Sequence, residues 1–162
     1  MSQKLKFVLA TATKLSVLGS KAGEVESTEN LEGGATAGPI KLFPISMGYG
    51  IMHGNKIVVK KLLSSGKVDE TFKPCQTAAN LRDTIYELRN PTLIYALTET
   101  TNELILFSLQ SSQADCQVVG KVPLTSINDR PVYDSITLLG SLLVARSTED
   151  ASLHLFLTKE VD

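Results

Sequence analysis

The sequence predicts an all-β fold, and three observations carry that prediction. Apolar runs return four times, each followed by a polar turn and a second apolar arm. They are Phe7-Val8-Leu9-Ala10 into Leu15-Ser16-Val17-Leu18, Tyr49-Gly50-Ile51-Met52 into Ile57-Val58-Val59-Lys60, Ile94-Tyr95-Ala96-Leu97 into Leu104-Ile105-Leu106-Phe107, and Leu143-Val144-Ala145-Arg146 into Leu153-His154-Leu155-Phe156. The second arms begin at intervals of 42, 47 and 49 residues, the period of stacked sheet units. The segments between the arms carry turn chemistry, such as His53-Gly54-Asn55-Lys56, where Gly and Asn tolerate the positive φ of a tight hairpin.

Each element follows in order. The opening strand at Phe7 to Ala10 and its partner arm lead into Gly19–Pro39, which is rich in Gly and in the acids Glu24, Glu26, Glu29 and Glu32. A segment of that kind buries too little apolar surface to offset the entropy of ordering, so 19–39 is expected to be a flexible acidic loop within a single β-rich domain covering 1–162. Ile40-Lys41-Leu42-Phe43 then forms a strand, with Pro39 and Pro44 at its ends. The second hairpin ends in the turn before Val68. Cys116-Gln117-Val118-Val119-Gly120-Lys121-Val122 alternates after the third, and Tyr133, Ile136, Leu138 and Leu139 lead through Gly140-Ser141 into the fourth. About nine to twelve strands result.

One segment has two readings. Ala78, Leu81, Ile85 and Leu88 are spaced like one helical face, with Thr77 as a cap and Asn90-Pro91 as a stop. The same residues also fit a loop followed by a strand at Thr84–Leu88. A true helix near 77–89 would make the chain a small α+β domain that binds a peptide or ligand.

The recurring hairpins and their period resemble a degenerate, WD-repeat-like β-propeller over most of Lys4 to Lys159. The chain has no Trp, hence no Trp-Asp pair, and no Gly-His pair opens a unit. The resemblance implies propeller-like antiparallel blades. Because about four to eight blades close a ring, three to four blades imply an incomplete ring with open sheet edges, which template pairing with other chains.

Composition restricts the possible roles. With 43% hydrophobic and 20% charged residues the chain is globular, and a net charge of −1 predicts no general attraction to nucleic acid or to an anionic membrane. No apolar run reaches the roughly 20 residues that cross a bilayer, and the N-terminal apolar stretch is too short for a secretory signal. Cys75 and Cys116 form no disulfide framework and are expected to fill small buried packing roles. No Asn opens a usable glycosylation acceptor. An intracellular setting, cytoplasmic or nuclear, is expected.

No chemistry-bearing pattern emerges. His53, Cys75, Cys116 and His154 are separated by 22, 41 and 38 residues, without the short paired spacings of structural zinc sites. Gly140-Ser141-Leu142 lacks the frame of a nucleophile elbow. Gly48-Tyr49-Gly50 and Ser64-Ser65-Gly66-Lys67 lack the order of phosphate-binding loops. Asp69-Glu70, Asp129-Arg130 and Glu149-Asp150 fall in expected turns. Lys56, Lys60, Lys61, Lys67 and Lys73 gather near the second hairpin, but adjacent strand residues point to opposite faces. No catalytic, cofactor or metal residue is therefore assigned. The expected role is a non-catalytic scaffold subunit of a larger complex. It would bind protein partners, or a second copy completing the sheet, through Phe7, Val8, Leu9, Leu153, Leu155 and Phe156.

Overall fold

The computed structural model describes residues 7–10, 14–18, 25–30, 40–46, 48–63, 65, 67–87, 89–124 and 132–157. Within them lie fifteen strands and no helix, more strands than the hairpin count suggested. Four antiparallel sheets follow one another along the chain. Sheet I holds β1 (Phe7–Ala10), β2 (Lys14–Leu18) and β3 (Val25–Asn30). Sheet II holds β4 (Ile40–Ile45), β5 (Gly48–His53), β6 (Lys56–Leu62) and β7 (Val68–Thr71), with the short β8 (Cys75–Gln76) beside β6. Sheet III holds β9 (Leu81–Tyr86), β10 (Leu93–Thr98), β11 (Glu103–Gln110) and β12 (Asp115–Pro123). Sheet IV holds β13 (Ser135–Leu139), β14 (Leu142–Ser147) and β15 (Ser152–Leu157).

The first strands of successive sheets, β1, β4, β9 and β13, pack side by side in chain order. Among the described strands, β13 and β1 share no contact as extensive as these, in keeping with an arc of sheets and an incomplete ring.

Alternation explains the stacking. In Ile94-Tyr95-Ala96-Leu97, Ile94 and Ala96 join Met52, Ile57, Val59 and Phe107 in the core between sheets II and III. Tyr95 and Leu97 face the other way, joining Leu104, Ile136, Leu143 and Ala145 in the core between sheets III and IV. A strand buried on both faces has to be apolar at every position, which is why these arms read as unbroken runs. On sheet II, Tyr49 and Ile51 form a third cluster on the face away from sheet III.

Two expectations are corrected here. The α+β alternative falls because 77–87 carries β9 and no helix; Leu88 lies outside the described residues. Leu81 and Ile85, four apart, fit both a helical turn and strand alternation, so their spacing could not separate the two. The acidic segment is not a loop throughout, since Val25–Asn30 is β3, paired with β2 from Lys14↔Asn30 to Leu18↔Val25. An outer strand needs backbone partners more than buried side chains, and β-branched Val25 and Thr28 favour extension. Residues 19–24 and 31–39 lie outside the described residues, as does Asp129-Arg130.

The glycine motif serves packing. A side chain at Gly50 would enter the Phe43 ring, and one at Gly48 would meet the Lys60 carbonyl. Gly54 takes the positive φ of the β5–β6 turn, while the Asn55 amide donates to the Thr77 carbonyl at 2.9 Å.

Candidate functional site

Asp83 stands where three sheets meet. The β9–β10 register runs Asp83↔Leu97 and then Leu81↔Thr98, stepping over Arg82, and such a bulge re-aims neighbouring side chains. One Asp83 oxygen accepts from Lys41 Nζ of sheet II at 2.6 Å, and the other from the Ile136 N–H of sheet IV at 2.8 Å. Lys41 also donates to the Thr84 carbonyl at 2.7 Å.

Away from the axis, Cys75 Sγ is bonded to Cys116 Sγ, across sheets II and III. The expectation of two separate packing roles is corrected: Cys75 is buried as expected, but it is half of a disulfide. The 41-residue separation is close to one repeat, so stacking brings the two strands together where no local spacing could announce it. Lys61, on the same seam, contacts Glu70 at 3.2 Å and donates to Ser111 at 3.1 Å, and its ammonium sits over the Phe72 ring at 4.9 Å. Lys60 is buried while Lys61 faces this seam, so the lysines of the second hairpin are divided between faces as strand alternation implied.

Sheet IV presents two unlike faces. Towards sheet III point Ile136, Leu138, Leu143, Ala145 and Phe156, with Tyr133 set among them, fully buried. Tyr133 packs edge-on against His154 and Phe156, with centroids at 5.4 and 6.0 Å. Its hydroxyl lies 3.0 Å from His154 Nδ1, His154 Nε2 lies 2.8 Å from Ser152 Oγ, and Ser152 donates to Asp150 at 2.6 Å. The hydroxyls and the imidazole thus form one continuous hydrogen-bonded run from Tyr133 to Asp150. Burial raises the Tyr133 pKa, and the Asp150 charge adds to the rise. This Ser–His–Tyr run joins strand to core.

The opposite face is uncovered. Leu139, Leu153, Leu155 and Leu157 are 63, 68, 66 and 77% exposed, and Leu142↔Leu157 and Val144↔Leu155 are cross-strand pairs on the same side. No strand pairs with the outer edge of β15 among the described residues, whereas sheets II and III carry a fourth strand there.

The structure therefore separates the residues named from sequence. Leu153 and Leu155 stand together on the open face, while Phe156 points the other way, into the core. Phe7, Val8 and Leu9 lie on β1, paired with Leu18, Val17 and Ser16, on the first sheet rather than beside β15. Leu139, Leu142 and Leu157 belong to the same open face; their place in the alternation of sheet IV could have found them. A separate cleft of about 300 Å³ lies between sheets III and IV, lined by Ile85, Tyr86, Glu87, Arg89, Thr137, Leu138 and Gly140. Beside it Tyr95 is held neutral, its pKa raised by burial and by the Glu87 carboxylate that its hydroxyl meets at 3.4 Å. Among the described residues no cluster of His, Cys, Asp or Glu could hold a metal.

No family model matches the chain, and no curated protein matches it. Solved structures do. The chain is similar to one in the mitotic checkpoint complex, with TM-score 0.69 and 13% identity over 98% of this chain and 46% of that one. It is similar to the β-propeller domain of Cps50 (Swd1) from Myceliophteria thermophila, at 0.69 and 11% over 97% and 51%. It is also similar to the WD40 domain of Pan2 from Neurospora crassa, at 0.61 and 10% over 91% and 41%. The chain thus spans about half the length of these structures and has the fold of a partial, WD-repeat-like β-propeller.

Proposed function

We propose that this partial β-propeller is a non-catalytic interaction module, a scaffold subunit of a larger protein complex. It receives protein partners at the uncovered face and free edge of sheet IV. The observation that carries the reading is the apolar composition of that face. Residues that are buried at the equivalent places of sheets II and III stand in solvent on sheet IV, and large exposed apolar patches mark interaction sites. The fold alone names no job; the checkpoint-complex neighbour supports the reading because that structure is of an assembly.

The test is affinity purification with the wild-type chain and with Leu155→Lys as baits. The expected result is a set of copurifying proteins that the variant loses while keeping its β-sheet circular dichroism. An identical set from both baits rejects the reading. Residues Phe7, Val8 and Leu9 are part of the proposal as the opposite end of the arc.

A further inference from the structure

We infer that the occupant of the open face is sheet I of a second copy of this chain, so that two arcs close head to tail into one ring of eight sheets. The inference rests on the interaction reading above and names its partner.

Continuity of packing carries it first. Sheet II presents Met52, Ile57 and Val59 to sheet III, and sheet III presents Tyr95, Leu97 and Leu104 to sheet IV. Sheet IV presents the same kind of surface, the exposed Leu139, Leu153, Leu155 and Leu157 beside half-buried Leu142, to no other sheet among the described residues. What covers the equivalent face twice within the chain is the next sheet of the same sort, and among the described sheets it is sheet I that packs on none before it.

The count agrees. The four described sheets correspond to 46 and 51% of the longer structures matched at TM-score 0.69, so two such arcs match the length of one. Eight sheets lie at the upper end of the range that closes a ring, about four to eight. A two-fold axis along the ring centre makes two identical junctions and leaves no end open, as closed assemblies require. A net charge of −1 per chain opposes the contact little.

The 162-residue chain, at tens of micromolar by light scattering after size exclusion, should have twice the single-chain mass of 17.5 kDa, that is 2 × 17.5 = 35 kDa. Leu155→Lys should return it to 17.5 kDa with an unchanged β-sheet spectrum. Under mild oxidation Leu155→Cys should give no 155–155 cross-link, because a head-to-tail ring holds the two sites on opposite sides. A wild-type monomer, an open-ended series of masses, a dimer indifferent to Leu155→Lys, or an efficient 155–155 cross-link each overturns the inference. If the chain is monomeric while its copurifying proteins still depend on Leu155, the second copy is rejected and the interaction reading stands.

Discussion

The Lys41 ammonium and the Asp83 carboxylate meet at 2.6 Å across sheets II and III, and the second Asp83 oxygen takes the Ile136 N–H of sheet IV. One side chain therefore ties three consecutive sheets at the axis. The Asp83 side chain is 9% exposed and that of Lys41 40%, so the two ends of the pair are unequal. Removing the buried end strands two backbone donors, of Ile136 and Thr84, whereas removing the wetter end takes a donor from the Thr84 carbonyl and leaves the Asp83 carboxylate its two N–H partners.

Asp83→Ala should lower unfolding free energy by about 3 kcal/mol, from a lost charge-assisted bond and unsatisfied buried N–H groups. Lys41→Met should cost about 1 kcal/mol, in keeping with its partial exposure. Urea denaturation checks both, and equal losses for the two would reject the keystone role of Asp83.

The Cys75–Cys116 bond closes a 41-residue separation. Chain-entropy arithmetic for a loop of that size gives about 4 kcal/mol. Reduction, or replacement of both cysteines by Ser, should lower the melting temperature by many degrees. Melting curves that coincide with and without reductant would show that the bond contributes nothing.

Ala151 sits at φ 56° in the β14–β15 turn, the left-handed region that costs residues other than Gly about 1–2 kcal/mol. Ala151→Gly should stabilise the protein by about 0.5–1 kcal/mol after the extra entropy Gly loses on folding. Thermal melting would register the gain, and a loss would mean that the methyl group packs usefully.

Acid should loosen sheet IV. Burial pushes the Asp134 carboxyl up, but hydrogen bonds from the side chain and backbone of Thr148 and from Arg146 outweigh it and hold the group below 3.8. The Ser152 hydroxyl does the same for Asp150. A carboxylate depressed by folding contributes stability that is present above its unfolded value and lost as the pH falls through its folded one. Stability should thus be level above about pH 5 and decline below about pH 4, within the range where carboxylates titrate. Asp134→Asn should flatten part of that decline in a pH series of melting curves.

Particular residues show what was legible beforehand. Ile94-Tyr95-Ala96-Leu97 was legible as an apolar strand arm, and its burial on both faces became visible only with the two sheets beside it. The fourth hairpin was equally legible, although β15 has one face in solvent. Asp83 was not singled out. A lone acid between Arg82 and Thr84 looks like a solvated residue, and only the packing of β4 and β13 against β9 buries it. The cysteine pairing was hidden in the same way: two residues 41 apart meet only once two sheets have stacked. The opposing directions of Leu155 and Phe156 follow from alternation, but which of them faces water depends on a neighbouring sheet that local sequence does not describe.

Sheets II and III are riveted at two radii, by Lys41–Asp83 near the centre and by Cys75–Cys116 farther out. Such a plate resists twisting about either rivet. Heat or mechanical pull should therefore peel the molecule from its flanks, with the central pair the last part to let go.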